Sequence, residues 1–280
     1  MVRVLGIGDN TVDIYVDQGV QFPGGNAVNV AVLTHRLGAE AAYLGCFGSD
    51  FLGDLLRDAL KAEGVDISLA RTIDGPNSWS RIRHVGNDRY FDGSRPSGRG
   101  DYRLGLSDFT AIATFDVAHS SVYSRLEDEL GRIGRAARML SFDYSAEYDD
   151  GYIAATAPYI STAFLSAADL SDTACRDLAR FVHAKGPGLV VITRGAKGAL
   201  ALDGDEFTES GIVAADVVDT LAAGDGFISG FLMARLEGRP IARSLEEGAR
   251  CAASVCGYRG AFGHGQPLRP GQPGLSMATD

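Results

Sequence analysis

The sequence predicts an α/β protein: a mostly parallel sheet with helices on both faces and a small β lid. Three observations carry this reading. Short apolar runs alternate with stretches of helical spacing along most of the chain, the pattern of strand–helix–strand units. One strand–turn–strand stretch, Ser78–Val85 followed by Asp88–Phe91, breaks that rhythm. A second extended segment, Thr11–Phe22, follows the first strand and alternates Val12, Ile14 and Val16 against Asp13, Tyr15 and Asp17.

Taken in order, Val2–Gly8 is an apolar run ending in Gly-Asp and reads as a central strand. Asn26–Leu37 has helical spacing and stops at Gly38, a residue suited to the left-handed position after a helix. Tyr43–Phe47 reads as a strand, and Leu52–Ala62 as a helix closed by Gly64 with Leu55, Leu56, Ala59 and Leu60 as its inward stripe. In the Ser78–Phe91 ribbon, Gly86-Asn87-Asp88 supplies a tight turn, and Trp79, Arg81 and Arg83 alternate with Ser80, Ile82 and His84. Mixed faces of this kind mark an excursion from the core, a lid or a plain edge hairpin. The alternation then resumes with strand Val117–Ser120, helix Ser124–Ala137, strand Met139–Asp143 and a helix near Tyr152. Strand Ile160–Leu165, helix Ser171–Ala184 and strand Leu189–Thr193 follow, and the apolar run Val213–Val218 reads as a strand leading into a further amphipathic helix. The Gly/Pro-rich end, 263–280, has little periodicity and is expected to lie loosely on the surface.

Composition narrows the function. With 45% hydrophobic residues among 280, the chain can bury enough surface to offset its conformational entropy, so disorder is excluded. The apolar runs are too short for a membrane span, and Asp9 interrupts the first one too soon for a signal peptide, so a cytoplasmic protein is expected. A net charge of −10 without basic blocks argues against nucleic acid as a partner, while leaving room for a small anion held by backbone amides. Cys46, Cys175, Cys251 and Cys256 form no Cys-x-x-C pair and read as reduced, buried thiols.

Four segments carry chemistry. In Asp219-Thr220-Leu221-Ala222-Ala223-Gly224-Asp225, small residues where the chain turns into a helix let a ligand approach the backbone. Free amides of the first helical turn then form an anion site. Asp225 beside such a site suits a hydroxyl that loses its proton while attacking a phosphoryl group, although helix capping by Asp219 or Thr220 accounts for the same spacing. Gly24-Gly25-Asn26-Ala27-Val28-Asn29 places two amides one turn apart after a permissive glycine pair, the donor and acceptor set that polyol hydroxyls need. An ordinary glycine loop with an Asn cap reads the same way. Asp9 and Asp13 lie at the carboxyl end of the first strand, where open α/β sheets bind ligands. Thr193-Arg194-Gly195-Ala196-Lys197-Gly198 leaves a strand into a glycine-spaced turn that would border a nucleotide or simply make a hairpin. A P-loop is absent, and His35, His84, His119, His183 and His264 are too scattered to pair on a metal.

These segments together resemble the PfkB (ribokinase-like) carbohydrate kinase family, from the start of the chain to about Phe262. Gly24–Asn29 is similar to the family's amino-terminal glycine signature and Asp219–Asp225 to its carboxy-terminal one, with Ala222 where a glycine is common. The resemblance implies a ribokinase-like kinase domain over 1–262 with lid segments 11–22 and 77–93 inserted. It implies ATP as phosphoryl donor and Mg²⁺ as counter-charge, and leaves room for a monovalent cation. Asp225 would be the base, with Ala222, Ala223 and Gly224 completing the anion hole. Asp9, Asp13, Gly24, Gly25, Asn26 and Asn29 would meet the sugar, and Thr193, Gly195, Gly198 and Thr220 the nucleotide. The family's Asn-x-x-Glu, which organises magnesium, is replaced by Ser166-x-x-Asp169, so Asp169 is the candidate for an indirect metal role.

Within the family, Gly8-Asp9-Asn10, Val12-Asp13-Ile14-Tyr15, Gly64-Val65-Asp66-Ile67-Ser68 and Asn87-Asp88-Arg89 resemble the branch acting on fructosamines such as fructoselysine. That implies phosphorylation of the sugar's 6-hydroxyl. A ribokinase- or nucleoside-type kinase and a non-catalytic sugar-binding homologue are the competing readings. A ribbon edge left open by the lid leads us to expect a homodimer through it.

Overall fold

The computed structural model describes residues 1–85, 88–96, 103–272, 274 and 275. The chain opens with β1 (Arg3–Gly8), β2 (Thr11–Tyr15), β3 (Val20–Gly24), α1 (Asn26–Arg36), β4 (Glu40–Gly48), α2 (Phe51–Glu63) and β5 (Arg71–Ile73). It continues through β6 (Trp79–Val85), β7 (Asp88–Arg95), α3 (Leu106–Ile112), β8 (Val117–Ser121), α4 (Glu127–Ala136), β9 (Leu140–Asp143), α5 (Asp150–Thr156) and β10 (Thr162–Ser166). Then come α6 (Asp172–His183), β11 (Leu189–Thr193), β12 (Ala199–Asp203), β13 (Glu206–Ser210), α7 (Ala223–Leu236), α8 (Ile241–Val255) and β14 (Gln266–Pro267).

Nine strands form the central sheet in the order β13-β12-β11-β10-β9-β8-β1-β4-β5. From β11 to β5 the neighbours run parallel, and only the β12 and β13 edge is antiparallel. Period-two alternation sends neighbouring side chains to opposite faces. Leu5, Ile7, Ala163, Leu165, Val190 and Ile192 join one core with residues of α3 to α6, while Val4, Phe164 and Val191 join another with α7 and α8. Helices therefore cover both faces, and the polar ends of the strands are left for a site.

The lid is a second sheet, β14-β3-β2-β6-β7, in which β2 and β6 run parallel and the other pairs antiparallel. Alternation along β2 gives it two jobs. Val12 and Ile14 pack into a core with α1 and α2, whereas Tyr15 joins Phe22, Ile82 and Leu221 in a small cluster on the other face.

Several expectations are revised. Thr11–Phe22 is not one extended segment but two strands, β2 and β3, folded back around the left-handed Gly19. The β6–β7 hairpin forms, and its Gly86-Asn87 tip lies outside the described residues. The helix expected from Ser124 begins at Glu127, because Arg125 sits at φ 52° and breaks the helical path. The run Val213–Val218 forms no strand. It is exposed, and the amides of Val218 and Asp219 bond instead to the Cys256 carbonyl after α8.

The described part of the tail is not loose. Gln266–Pro267 extends the lid sheet, Gln272 is buried with its Nε2 donating to Gln21 Oε1 at 3.0 Å, and Leu275 packs on the α1–α2 core. His264 pairs with Glu63, which Arg36 also grips through two hydrogen bonds. Polar side chains thus anchor a segment that lacks hydrophobic periodicity. All four cysteines are free, and no helix among the described residues is long and apolar enough to cross a membrane.

Candidate active site

The last residues of five adjacent parallel strands, Gly8, Ser121, Asp143, Ser166 and Thr193, line up along the carboxyl edge of the sheet. Asp9 follows directly. The start of α7 adds Asp225, so three carboxylates meet around one residue, Asn26. Its Nδ2 donates to Asp143 Oδ2 and to Asp225 Oδ1, each at 2.8 Å. Its backbone amide donates to Asp9 Oδ2 at 2.6 Å. Asn29, one turn on, donates from Nδ2 to Asp225 Oδ2 at 2.6 Å, so both carboxylate oxygens of Asp225 accept an amide N–H.

Burial dominates the electrostatics here. Asp225 is 9% exposed, and desolvation pushes its carboxyl well above the usual range, with Asp143 and Asp9 adding repulsion and the Asn29 and Asn26 amides opposing the rise. Asp143 is pushed up to about 6, chiefly by desolvation, against the Ser145 amide and the Asn26 side chain. Asp9 accepts from protein donors on both oxygens. Its Oδ1 accepts from Ser121 Oγ and Ser124 Oγ while Oδ2 holds the start of α1, so it braces the loop around the glycine pair. Asn26 is engaged on its oxygen too, since its Oδ1 lies 2.9 Å from His119 Nε2.

The glycine pair serves two neighbours. A Cβ on Gly24 would lie 2.5 Å from Asp13 Oδ2, so its bare backbone makes room for that buried carboxylate. Gly25 sits at φ 109°, and a Cβ there would meet the Asn10 backbone at 2.5 Å. The same Gly24 position lies 3.7 Å from Asn29 Oδ1, a buried oxygen without a hydrogen-bond partner. Asp13, Gly24, Asn29 and Asp225 therefore share one corner.

On the opposite side, Asp219 shapes the turn. Its Oδ1 accepts from the Leu221 amide at 2.9 Å and its Oδ2 from the Gly260 amide at 3.2 Å and from the Tyr15 hydroxyl. Ala222 follows in the left-handed region at φ 60°, a conformation that costs a side-chain-bearing residue about 1 kcal/mol. The Ala223 amide bonds to the Thr220 carbonyl at 3.3 Å, and that of Gly226 to Ala222. Among the described residues the amides of Ala222, Gly224 and Asp225 make no hydrogen bond, and Gly224 is exposed. Thr220 is exposed beside them. Free amides at the positive end of a helix, next to a carboxylate, can bind an anion and take a proton at adjacent points.

Further along the edge, Thr193 Oγ1 donates to the Leu165 carbonyl at 3.3 Å, and Gly195–Lys197 makes a tight turn into β12. Gly195 at φ 57° and Gly198 at φ 82° are both left-handed; a Cβ on Gly198 would strike the Ser210 carbonyl at 2.0 Å. Lys197 Nζ donates to the carbonyls of Ala168 and Leu170, tying this turn to the loop that carries Asp169. Asp169 is exposed and makes no hydrogen bond or ion pair among the described residues; it lies two residues before the α6 N-cap Ser171. A cavity of about 330 Å³ opens elsewhere, between α2 and the tail, and none of these residues lines it.

Sequence reasoning passed over Asp143, His119, Ser121, Ser124 and Tyr15. Treating every strand's carboxyl end as a ligand edge, rather than only the first, would have found Asp143 and Ser121. Tyr123 also stands at this edge. Its hydroxyl donates to Ser145 Oγ at 2.8 Å, and desolvation pushes it up to about 12, with Asp143, Glu147 and Asp225 contributing.

Comparison with known proteins identifies the family. Residues 3–265 match the family described as pfkB family carbohydrate kinase. The chain is 40% identical to fructosamine kinase FrlD of Bacillus subtilis, covering 99% of each chain. It is 34% identical to fructoselysine 6-kinase of Escherichia coli, over 91% of this chain and 98% of that one. The solved structure of Arabidopsis thaliana ribokinase with ribose and ATP shares the fold at a TM-score of 0.80 and 19% identity, covering 93% and 94% of the two chains. A glycine pair before α1, a carboxylate at the head of α7 and this extent of similarity lead to one conclusion: the chain belongs to the pfkB family of carbohydrate kinases.

Proposed function

We propose that the protein transfers the γ-phosphoryl group of ATP to the 6-hydroxyl of a fructosamine of the fructoselysine type. The single observation that carries the reading is Asp225, a carboxylate fixed by two amides directly beside unbonded helix-start amides. The attacking hydroxyl oxygen forms its bond to γ-phosphorus as the bond to the β–γ bridging oxygen breaks. The hydroxyl proton passes to Asp225, and ADP leaves with the bridging oxygen. Such a transfer depends on positioning and charge stabilisation more than on covalent help. Each well-placed amide contributes on the order of 3 kcal/mol, so the amides of Ala222, Gly224 and Asp225 can carry much of the effect.

Asp13 and Asn29 meet the sugar hydroxyls in this reading. Asn29 Oδ1, buried without a partner, is an acceptor that a ligand hydroxyl would satisfy. In this reading Asp9 and Asn26 act mainly as positioning residues: Asp9 braces the start of α1, and Asn26 orients Asp143 and Asp225. Thr193, Gly195, Gly198 and Thr220 would border the nucleotide.

Magnesium fits the residues present. Exposed Asp169 and the Ser166 hydroxyl are hard oxygen donors, and no group of three His, Cys, Asp or Glu side chains among the described residues is placed to hold a metal ion by itself. A cation held through phosphate oxygens and water suits that donor set. It would supply counter-charge to the phosphates.

Four free cysteines suit a reducing compartment, and we place the protein in the cytoplasm. We also propose a homodimer through the lid, since the outermost strand β7 carries Tyr90 and Phe91, 52% and 62% exposed. Sedimentation of the chain and of Phe91→Arg tests this; a monomer in both rejects it.

The function is tested by ADP release with fructoselysine, other fructosamines, fructose, ribose and adenosine, with the phosphorylated position read by NMR. Fructoselysine should give the highest kcat/KM and a 6-phosphate. Preference for ribose or adenosine would replace this acceptor with another. Absence of sugar-dependent turnover at saturating Mg²⁺ would favour a binding protein that has kept the fold.

A further inference from the structure

His119 lies in the middle of β8, fully buried, with Gly6 of β1 and Ser141 of β9 as its neighbours across the sheet. Its Nε2 is 2.9 Å from Asn26 Oδ1 and its Nδ1 is 3.0 Å from Ser141 Oγ. Donor and acceptor logic settles the orientation of this chain of groups. Ionised carboxylates only accept, so the Asn26 amide must turn its NH₂ toward Asp143 and Asp225. Its oxygen then faces His119, and Nε2 must carry the hydrogen. Nδ1 is left with a lone pair, to which the Ser141 hydroxyl donates. Burial holds the ring neutral, with its pKa lowered to about 3.

We propose that His119 is a positioning residue for the transfer reaction: through its Nε2–H it locks the Asn26 amide with NH₂ toward the two carboxylates and so keeps Asp225 available as a base. Without that lock the amide can rotate by half a turn. Its oxygen would then face Asp143 and Asp225, two donated hydrogen bonds would become repulsions, and the carboxylates would hold protons more tightly. The ionisable groups facing Asp225 are Asp143, Asp9 and Tyr123, and its amide donors are Asn26 and Asn29. None of the ionisable groups is cationic, so the amides carry the task of stabilising the base form.

This inference rests on the reading of Asp225 as the base, and two measurements separate them. In the intact chain with ¹⁵N-labelled histidine, His119 should remain neutral with Nε2 protonated from about pH 5 to pH 8. A protonated Nδ1 would overturn the inference whatever Asp225 does. His119→Leu should then move the acid limb of the kcat/KM profile upward by on the order of one pH unit, and His119→Gln, which restores a donor, should return most of it. Coincident limbs in all three proteins would reduce His119 to packing. Should the Leu variant not fold, Ser141→Ala keeps the imidazole and removes only its Nδ1 donor. The limb should then move the same way by a smaller amount, and an unmoved limb counts against the proposal. If instead Asp225→Asn turns over normally while the tautomer stands, the base assignment fails and the amide lock remains.

Discussion

The hydroxyl of Tyr15, on lid strand β2, donates to Oδ2 of Asp219, the residue that shapes the turn into α7. Two residues earlier on the same strand face, Asp13 occupies the space left by Gly24 beside Asn29. One strand thus links the corner assigned to the sugar with the turn assigned to the phosphate. The ring of Tyr15 packs edge-on against Phe22 at 5.1 Å, in a cluster that includes Leu221 of that turn.

Tyr15→Phe keeps this packing and removes the hydroxyl. Asp219 retains the Leu221 and Gly260 amides but loses a donor at a buried oxygen, a change worth about 1–3 kcal/mol. We expect kcat to fall about tenfold with the fructosamine KM nearly unchanged, because Asp13 stays in place. Steady-state kinetics at saturating ATP decides the point, and an unaltered kcat would show that the turn holds its shape without the lid.

Asp225→Asn should lower kcat by at least about a hundredfold, the lower range for general-base catalysis. The new amide can accept from only one of Asn26 and Asn29, so part of the loss is local rearrangement. Sugar affinity measured by calorimetry separates the two effects. It should change by less than about threefold, well under 1 kcal/mol. Turnover near that of the unmodified chain rejects the base.

Asn29→Ala removes both the donor to Asp225 Oδ2 and the unpartnered buried Oδ1. Losing one ligand hydrogen bond costs about 1 kcal/mol, so the sugar KM should rise roughly five- to tenfold. Losing an amide bond to a carboxylate already raised by burial should also shift the acid limb upward. A changed KM with a fixed acid limb would place Asn29 on the sugar alone.

The strand and helix alternation was legible because burial follows it residue by residue. Leu5 and Ile7 face one core and Val4 the other, and α2 ends at a left-handed Gly64. Asp225 and the glycine pair were legible because each sits where a turn of small residues enters a helix. What stayed hidden depends on strand order. Asn26 reads as a sugar ligand until β8 and β9 bring His119 and Asp143 beside it, more than ninety residues away in the chain. Val213–Val218 has strand composition, yet its last amide turns to the Cys256 carbonyl rather than to a ladder. Composition also misleads at the tail, where Gln21 and Gln272 make a buried side-chain pair that no periodicity announces.

In acid stability, His119 and Asp143 pull in opposite directions. His119 titrates at about 3 when folded against 6.5 when free, so its contribution is present above pH 6.5 and is lost as pH falls toward 3. Asp143 titrates at about 6 against 3.8, so its contribution is greatest below pH 3.8 and is lost as pH rises through 6. Between pH 6 and pH 4 the folded chain therefore binds a proton at Asp143 while the unfolded chain binds one at His119. The two slopes, each about 1.4 kcal/mol per pH unit at full difference, offset. Asp143→Asn removes only the second. Its unfolding free energy, from denaturant titrations at pH 6, 5 and 4, should fall relative to the unmodified chain by on the order of 1 kcal/mol per unit. Profiles that run parallel over this window would show that Asp143 does not titrate there, and the electrostatic picture of the carboxylate cluster would have to be redrawn.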